Sequence, residues 1–241
     1  MSDSEKANQV EMSRSFSLVD QKLAEADFFV KKLREAGFDF FAVRCYVSAF
    51  TTAARSVTYA IQAVMKPVSG FDEWYTQRQE ELKADSTARF FHKLRTISHH
   101  IGDNLVSGGS GGPNQPIRYW FMPNKDIPQV PQEDVVTACM HYMGKLVGIV
   151  YQCYIDFGTE INSHQHYTAE HFARLGKTLE DAEEEVFGIR GWTEVPGYSE
   201  DYRWQAMRDS LVGCEIDSLF MEYIGKKAPR PTKPDESADS M

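Results

Sequence analysis

Between Pro131 and Gly158 the apolar residues Val136, Cys139, Met143, Leu146, Val150, Cys153 and Phe157 follow one another at spacings of three or four. That interval keeps all of them on one side of an α-helix and would scatter them over both faces of a strand. Pro131 suits the first turn of such a helix and Gly158 closes it.

The same spacing recurs towards the N-terminus. Val19, Leu23, Ala26, Val30 and Leu33 predict a helix over 17–36, ended by Gly37. Phe50, Ala53, Val57, Ala60, Ile61 and Val64 mark a second over 39–65, stopped by Pro67-Val-Ser-Gly70. A mostly polar helix is expected over 71–83. A fourth, over 87–102, is capped by Asp85 or Ser86 and carries the stripe Phe90, Leu94, Ile97 and Ile101. Short connections between such helices are the pattern of a bundle.

Ser107–Pro113 is glycine-rich and reads as a connector. It lacks the lysine and the strand-to-helix setting of a P-loop. Residues 117–122 read as an isolated strand or packing segment. Thr168, Thr178 (with Asp181 three residues on) and Ser199 are helix-cap positions, and the last helix is expected to run unbroken from Ser199 to Gly225. The expected organisation is an all-α chain: a polar tail over 1–16, a helical bundle over 17–158, a helical extension over 159–225 and a disordered tail over 226–241.

Charge narrows the function. There are 35 Asp+Glu against 26 Lys+Arg, a net −9, which argues against a general coat for nucleic acid. The excess is uneven: residues 106–241 carry −9, whereas residues 27–105 carry +2. A local anion site in the bundle is compatible with that split. No apolar run reaches the roughly 18 residues of a membrane helix, and no signal-peptide core follows the polar start. Cys45, Cys139, Cys153 and Cys214 form no CxxC pair and read as buried reduced thiols of a cytoplasmic protein.

The richest segment is Phe90-Phe-His-Lys-Leu-Arg-Thr-Ile-Ser-His-His-Ile101. At about 100° per residue, His99, His92 and Asp103 lie roughly 40°, 60° and 80° from Arg95, with Thr96 and His100 at about 100° and 140°. Histidine exchanges protons near neutral pH, and arginine binds phosphate and balances growing negative charge. These are parts for cleaving a phosphodiester without a metal or other cofactor. The plainer reading is a solvated polar face. A metal site built on His92 and His99, or on His99 and Asp103, lacks an identifiable third ligand. Arg55 and Ser56 sit beside the second helix's stripe, where Arg55 must snorkel, form a salt bridge or support a phosphate site. The acidic run Leu179–Val186 argues against a DNA-recognition helix. Trp120, Trp192 and Trp204 read as packing anchors, His141 as core-edge, His164 and His166 as loop residues and His171 as a helix-surface residue.

Arg95-Thr-Ile-Ser-His-His100 resembles the R-x4-6-H signature of the HEPN superfamily. Phe50–Tyr59, Phe71–Tyr75 and Asp85–Phe91 resemble the helices around that motif, so the resemblance covers about 17–158. It implies an all-α bundle, a homodimer with motif helices facing across a cleft, and metal-independent endoribonuclease activity. His100, or the competing His99, would be the base acting on an RNA 2′-hydroxyl. Arg95 would stabilise the phosphate, with Thr96, His92, Arg55 and Ser56 as further RNA contacts. Thr96 stands where many active members carry Asn. The resemblance equally admits an inactive dimeric scaffold or binding protein. A toxin or phage-defence effector would meet an antitoxin or other protein partner.

Overall fold

The computed structural model describes residues 3–100, 105–112 and 116–231, with side chains from Phe16 onward and excluding those of 98–100. Among the described residues it is all-α: eleven helices, two isolated β-bridges and no β-strand. The chain divides into two compact units. One comprises Phe16–Val150 and Ser218–Lys226; the other is Tyr151–Asp217 with the described parts of Met1–Ser15 and Lys227–Met241. No described helix is long and apolar enough to cross a membrane.

From Phe16 onward α1 (Asp3–Glu35) belongs to the first unit, where it buries Val19, Leu23, Ala26, Val30 and Leu33, as their spacing predicts. It starts well before the expected Ser17, because residues 3–15 contain several good helix formers and neither Gly nor Pro. In α2 (Phe40–Met65), Asp39 accepts the Ala42 N–H at 2.9 Å. Helix α3 (Phe71–Ala84) is followed by α4 (Ser86–His100). Asp85 joins the two, accepting the Ala88 N–H at 2.8 Å and pairing with Lys145 at 2.8 Å.

Residues 105–110 and 117–122 then run antiparallel through Val106–Phe121 and Ser110–Arg118. A Cβ on Gly109 would lie 2.8 Å from the Arg118 carbonyl, so this ribbon needs glycine there. Helix α5 (Val135–Asp156) begins after Pro131's expected first turn. Asp134 is the cap, accepting the Val136 and Thr137 N–H groups at 3.1 and 3.2 Å. An aromatic core joins α2, α4 and α5: Phe91 stacks on Tyr142 at 4.7 Å and meets Phe50 edge-on at 5.6 Å.

The C-terminal helix α11 (Asp217–Ile224) contributes Ser218–Ile224 to this same unit, whereas the sequence assigns them to an extension. Leu219 and Phe220 are buried, the Tyr223 hydroxyl donates to Asp27 at 2.8 Å, and Lys31 bridges Asp27 and Glu222. Burial and Asp27 push the Tyr223 phenol well above its ordinary value.

The second unit holds short helices: α6 (Gly158–Ile161), α7 (Ser163–His166), α8 (Ala169–Arg174), α9 (Leu179–Phe187) and α10 (Glu200–Asp209). Thr168, Thr178 and Ser199 cap α8, α9 and α10, with the Thr178–Asp181 capping box complete. Phe172, Leu179, Ala182, Trp204 and Met207 form the core. The expected single helix over 199–224 is broken. Ser163 donates to the Val212 carbonyl at 2.5 Å, and the His164 ring meets the Leu211 carbonyl at 2.9 Å. A Cβ on Gly213 would fall 2.6 Å from that ring, so only glycine lets the broken segment approach it.

Candidate anion site on helices α2 and α4

Arg55 and Tyr59 are one turn apart on α2, and His92 and Arg95 one turn apart on α4. Buried Ala54, Val57 and Thr58 fix the inner side of α2; buried Phe91, Leu94 and Ile97 fix that of α4. Arg55 leaves α2 partly buried. Its Nη1 donates to the Thr58 hydroxyl at 3.1 Å, and its guanidinium carbon lies 4.3 Å from the centre of the Tyr59 ring. The Nε atoms of Arg55 and Arg95 are both buried, with no acceptor among the described residues. Arg78 on α3 shares the buried Nε but has Glu81 at 3.2 Å. Among the described residues, neither Arg55 nor Arg95 makes an ion pair with a carboxylate, so the salt bridge open to Arg55 on sequence grounds is not formed there.

Electrostatics tie the four side chains together. His92 is held below its ordinary value by burial, and then by the charges of Arg55 and Arg95. Tyr59 is held below its own by hydrogen bonding and charge from Arg55, with the charge of Arg95 adding to them. Two cations on different helices therefore act on the same imidazole and the same phenol. Beneath them, burial pushes Tyr142 up to about 12, with Arg55 opposing. Half-buried guanidinium groups without a counter-charge are costly, and the group that relieves them is an oxyanion offering several acceptors.

The other expected site residues are placed differently. The Ser56 hydroxyl donates to the Thr52 carbonyl at 3.0 Å, and the Thr96 hydroxyl to the His92 carbonyl at 3.1 Å, so both are engaged on their own helices. His99 and His100 belong to α4, but their side chains lie outside the described residues, as do Ile101 and Asp103. No group of three or more His, Cys, Asp or Glu able to hold a metal occurs among the described residues. Tyr59, quoted above only within the α2 motif, is the site member that sequence spacing did not single out. Its i, i+4 relation to Arg55 was the available signal.

Several expectations are corrected elsewhere. Cys45 is exposed, because it falls on the outer side of α2, while Cys139 and Cys153 are buried as expected. His141 is exposed, 3.1 Å from Glu133. His164 and His166 lie on α7 rather than in a loop, and His166 is buried with its Nδ1 2.8 Å from the Thr159 carbonyl. His171 is partly buried, its ring 4.7 Å from that of His166. Trp204 is a buried anchor; Trp192 is half-exposed and stacks on Phe187 at 4.0 Å.

Residues 9–106, less than half of the chain, match the family described as Bacteriophage lambda protein ea47. That span includes Arg55, Tyr59, His92 and Arg95. No curated protein and no solved structure matches the chain.

Proposed function

We propose that the bundle unit is a HEPN-like, metal-independent endoribonuclease that takes an RNA phosphodiester at Arg55 and Arg95. The observation that supports this reading is the pair of partly buried guanidiniums whose Nε atoms have no acceptor among the described residues, both acting on His92. His100 takes the proton from the 2′-hydroxyl, with His99 as the alternative base. The 2′-oxygen then bonds to phosphorus while the P–O5′ bond breaks. The 5′-oxygen leaves with a proton taken from water, giving a 2′,3′-cyclic phosphate and a 5′-hydroxyl. Arg95 balances the charge that grows on the phosphoryl oxygens. His92, kept neutral by burial and the two arginines, is a further proton acceptor on the same face.

On this reading the protein acts in the cytoplasm as a homodimer whose α4 helices face one another, and a toxin or phage-defence role would pair it with an antitoxin. Similarity to a bacteriophage family supports a phage setting, and the exposed Phe38 and Phe41 offer apolar surface to a second copy or a partner.

Purified protein tested on RNA in chelator, beside Arg95→Ala and His100→Ala, checks the activity. Each variant is expected to lose roughly 10²–10⁴-fold in cleavage rate. Unchanged cleavage in both would sink the catalytic reading. One observation favours the inactive-scaffold alternative: the Thr96 hydroxyl is engaged with its own helix and so is not directed to a substrate. Retained RNA binding with no cleavage by any variant, and no growth arrest on expression, selects that alternative.

A further inference from the structure

We infer that Tyr59 is a stacking platform for one unpaired base of a single-stranded nucleic acid, whose adjacent phosphate lies on Arg55 and Arg95. The inference rests on the phosphodiester reading of those two arginines and adds the form of the ligand. Tyr59 is 48% exposed, while its α2 neighbours Val57, Thr58, Ala60 and Ile61 are buried. One face of its ring is occupied by the Arg55 guanidinium, 4.3 Å from the ring centre. Arg55 is held there by its bond to the Thr58 hydroxyl, so the cation and the ring form a pre-set pair. A base laid on the other face of the ring continues the stack, with the phenol ring sandwiched between base and guanidinium. A base inside a duplex is already stacked on both sides and cannot join. The cluster therefore favours single strands, with little preference for base identity, since every base has a π-face.

The arrangement also assigns different tasks to neighbouring side chains. Arg55 and Arg95 bind charge, and Tyr59 binds the base. The phenol hydroxyl is not required for stacking, so Tyr59→Phe separates a platform from a phosphate ligand.

The test is fluorescence-anisotropy binding of a labelled 2′-O-methyl oligoribonucleotide, which cannot be cleaved through its 2′-position. The same strand carrying abasic positions and its fully paired duplex are measured alongside. Tyr59→Ala is expected to weaken binding of the base-bearing strand about 5- to 100-fold, the range of one lost base–aromatic stack. It should leave binding of the abasic strand unchanged, and Tyr59→Phe should bind as the parent protein does. The duplex should bind the parent protein no better than the abasic strand. Equal effects of Tyr59→Ala on base-bearing and abasic strands would overturn the platform, as would Tyr59→Phe losing as much as Tyr59→Ala. Arg55→Met and Arg95→Met report on the underlying reading: if both bind every strand as the parent does, the arginine site itself is wrong.

Discussion

Arginine is used in two ways in this molecule. In the unit built around α9 and α10, Arg190 and Arg203 meet acids, while Arg208 donates to the Tyr167 carbonyl at 3.3 Å. Arg190 pairs with Asp181 at 2.6 Å and Glu184 at 2.9 Å, and Arg203 reaches Glu180 at 3.2 Å and Glu183 at 3.4 Å. Glu183 is fully buried, and accepts the N–H groups of Gly191, Trp192 and Thr193 and the Thr193 hydroxyl. Burial alone would raise the Glu183 carboxyl; those bonds and Arg203 outweigh it and hold it below its ordinary value. On α2 and α4, Arg55 and Arg95 have a ring, a hydroxyl and an imidazole around them but no carboxylate among the described residues. Charge in the first region ties loop to helix. Charge in the second does no comparable work for the fold, which is what a ligand site looks like before its ligand is considered.

The difference has a sign that can be measured. The largest expected effect is Glu183→Ala, which strips the acceptor from three backbone N–H groups, that of Thr193 buried, and leaves Arg203 without its buried partner. A loss of about 3–5 kcal/mol is expected in denaturant unfolding, with Glu183→Gln costing less because one acceptor oxygen survives. A loss under roughly 1 kcal/mol would place this carboxylate with the ordinary surface pairs and break the comparison. Arg55→Met and Arg95→Met should behave oppositely, keeping or raising stability because a poorly compensated charge gives way to an apolar chain. Each should cost a phosphate-bearing strand about 1.5–3 kcal/mol of binding, the range for a hydrogen bond to a charged group, read by calorimetric titration. If either substitution destabilises the fold as Glu183→Ala does, Arg55 and Arg95 are structural.

Much of this contrast could be read in the chain beforehand, and the unread part has physical causes. The stripes of α1, α2, α4 and α5 are legible because a 3/4 spacing has one geometric solution. The Thr178–Asp181 cap is legible because it is local, and Thr178→Ala should cost about 1 kcal/mol, seen as a small fall in melting temperature. The shared face of His92 and Arg95 follows from the helical step alone. The approach of Arg55 does not, because it depends on how α2 packs on α4 through Phe50 and Phe91. The return of α11 to the bundle depends on Tyr223 meeting Asp27 from 196 positions away. The break before α11 depends on α7 side chains holding the carbonyls of Leu211 and Val212. No local pattern encodes any of these three contacts.

The smallest expected effect separates the two regions by titration. His92 and His166 both lie below their ordinary value of 6.5, in each case chiefly through burial. Unfolding then takes up protons, so the stability these rings contribute is complete above about pH 6.5 and is lost as the pH falls through their folded values. What opposes burial differs. The Thr159 carbonyl and the charges of Glu185 and Glu160 pull His166 upward against Lys177. At His92, Arg55 and Arg95 push in the same direction as burial. Arg95→Met should therefore raise the His92 titration, followed by its imidazole proton resonances, and leave His166 where it is. Adding inorganic phosphate to the parent protein should do the same, because an anion on the two guanidiniums cancels the charge that His92 feels. If phosphate moves His166 as much as His92, the added anion is screening the whole molecule, and the α2–α4 face holds no site of its own.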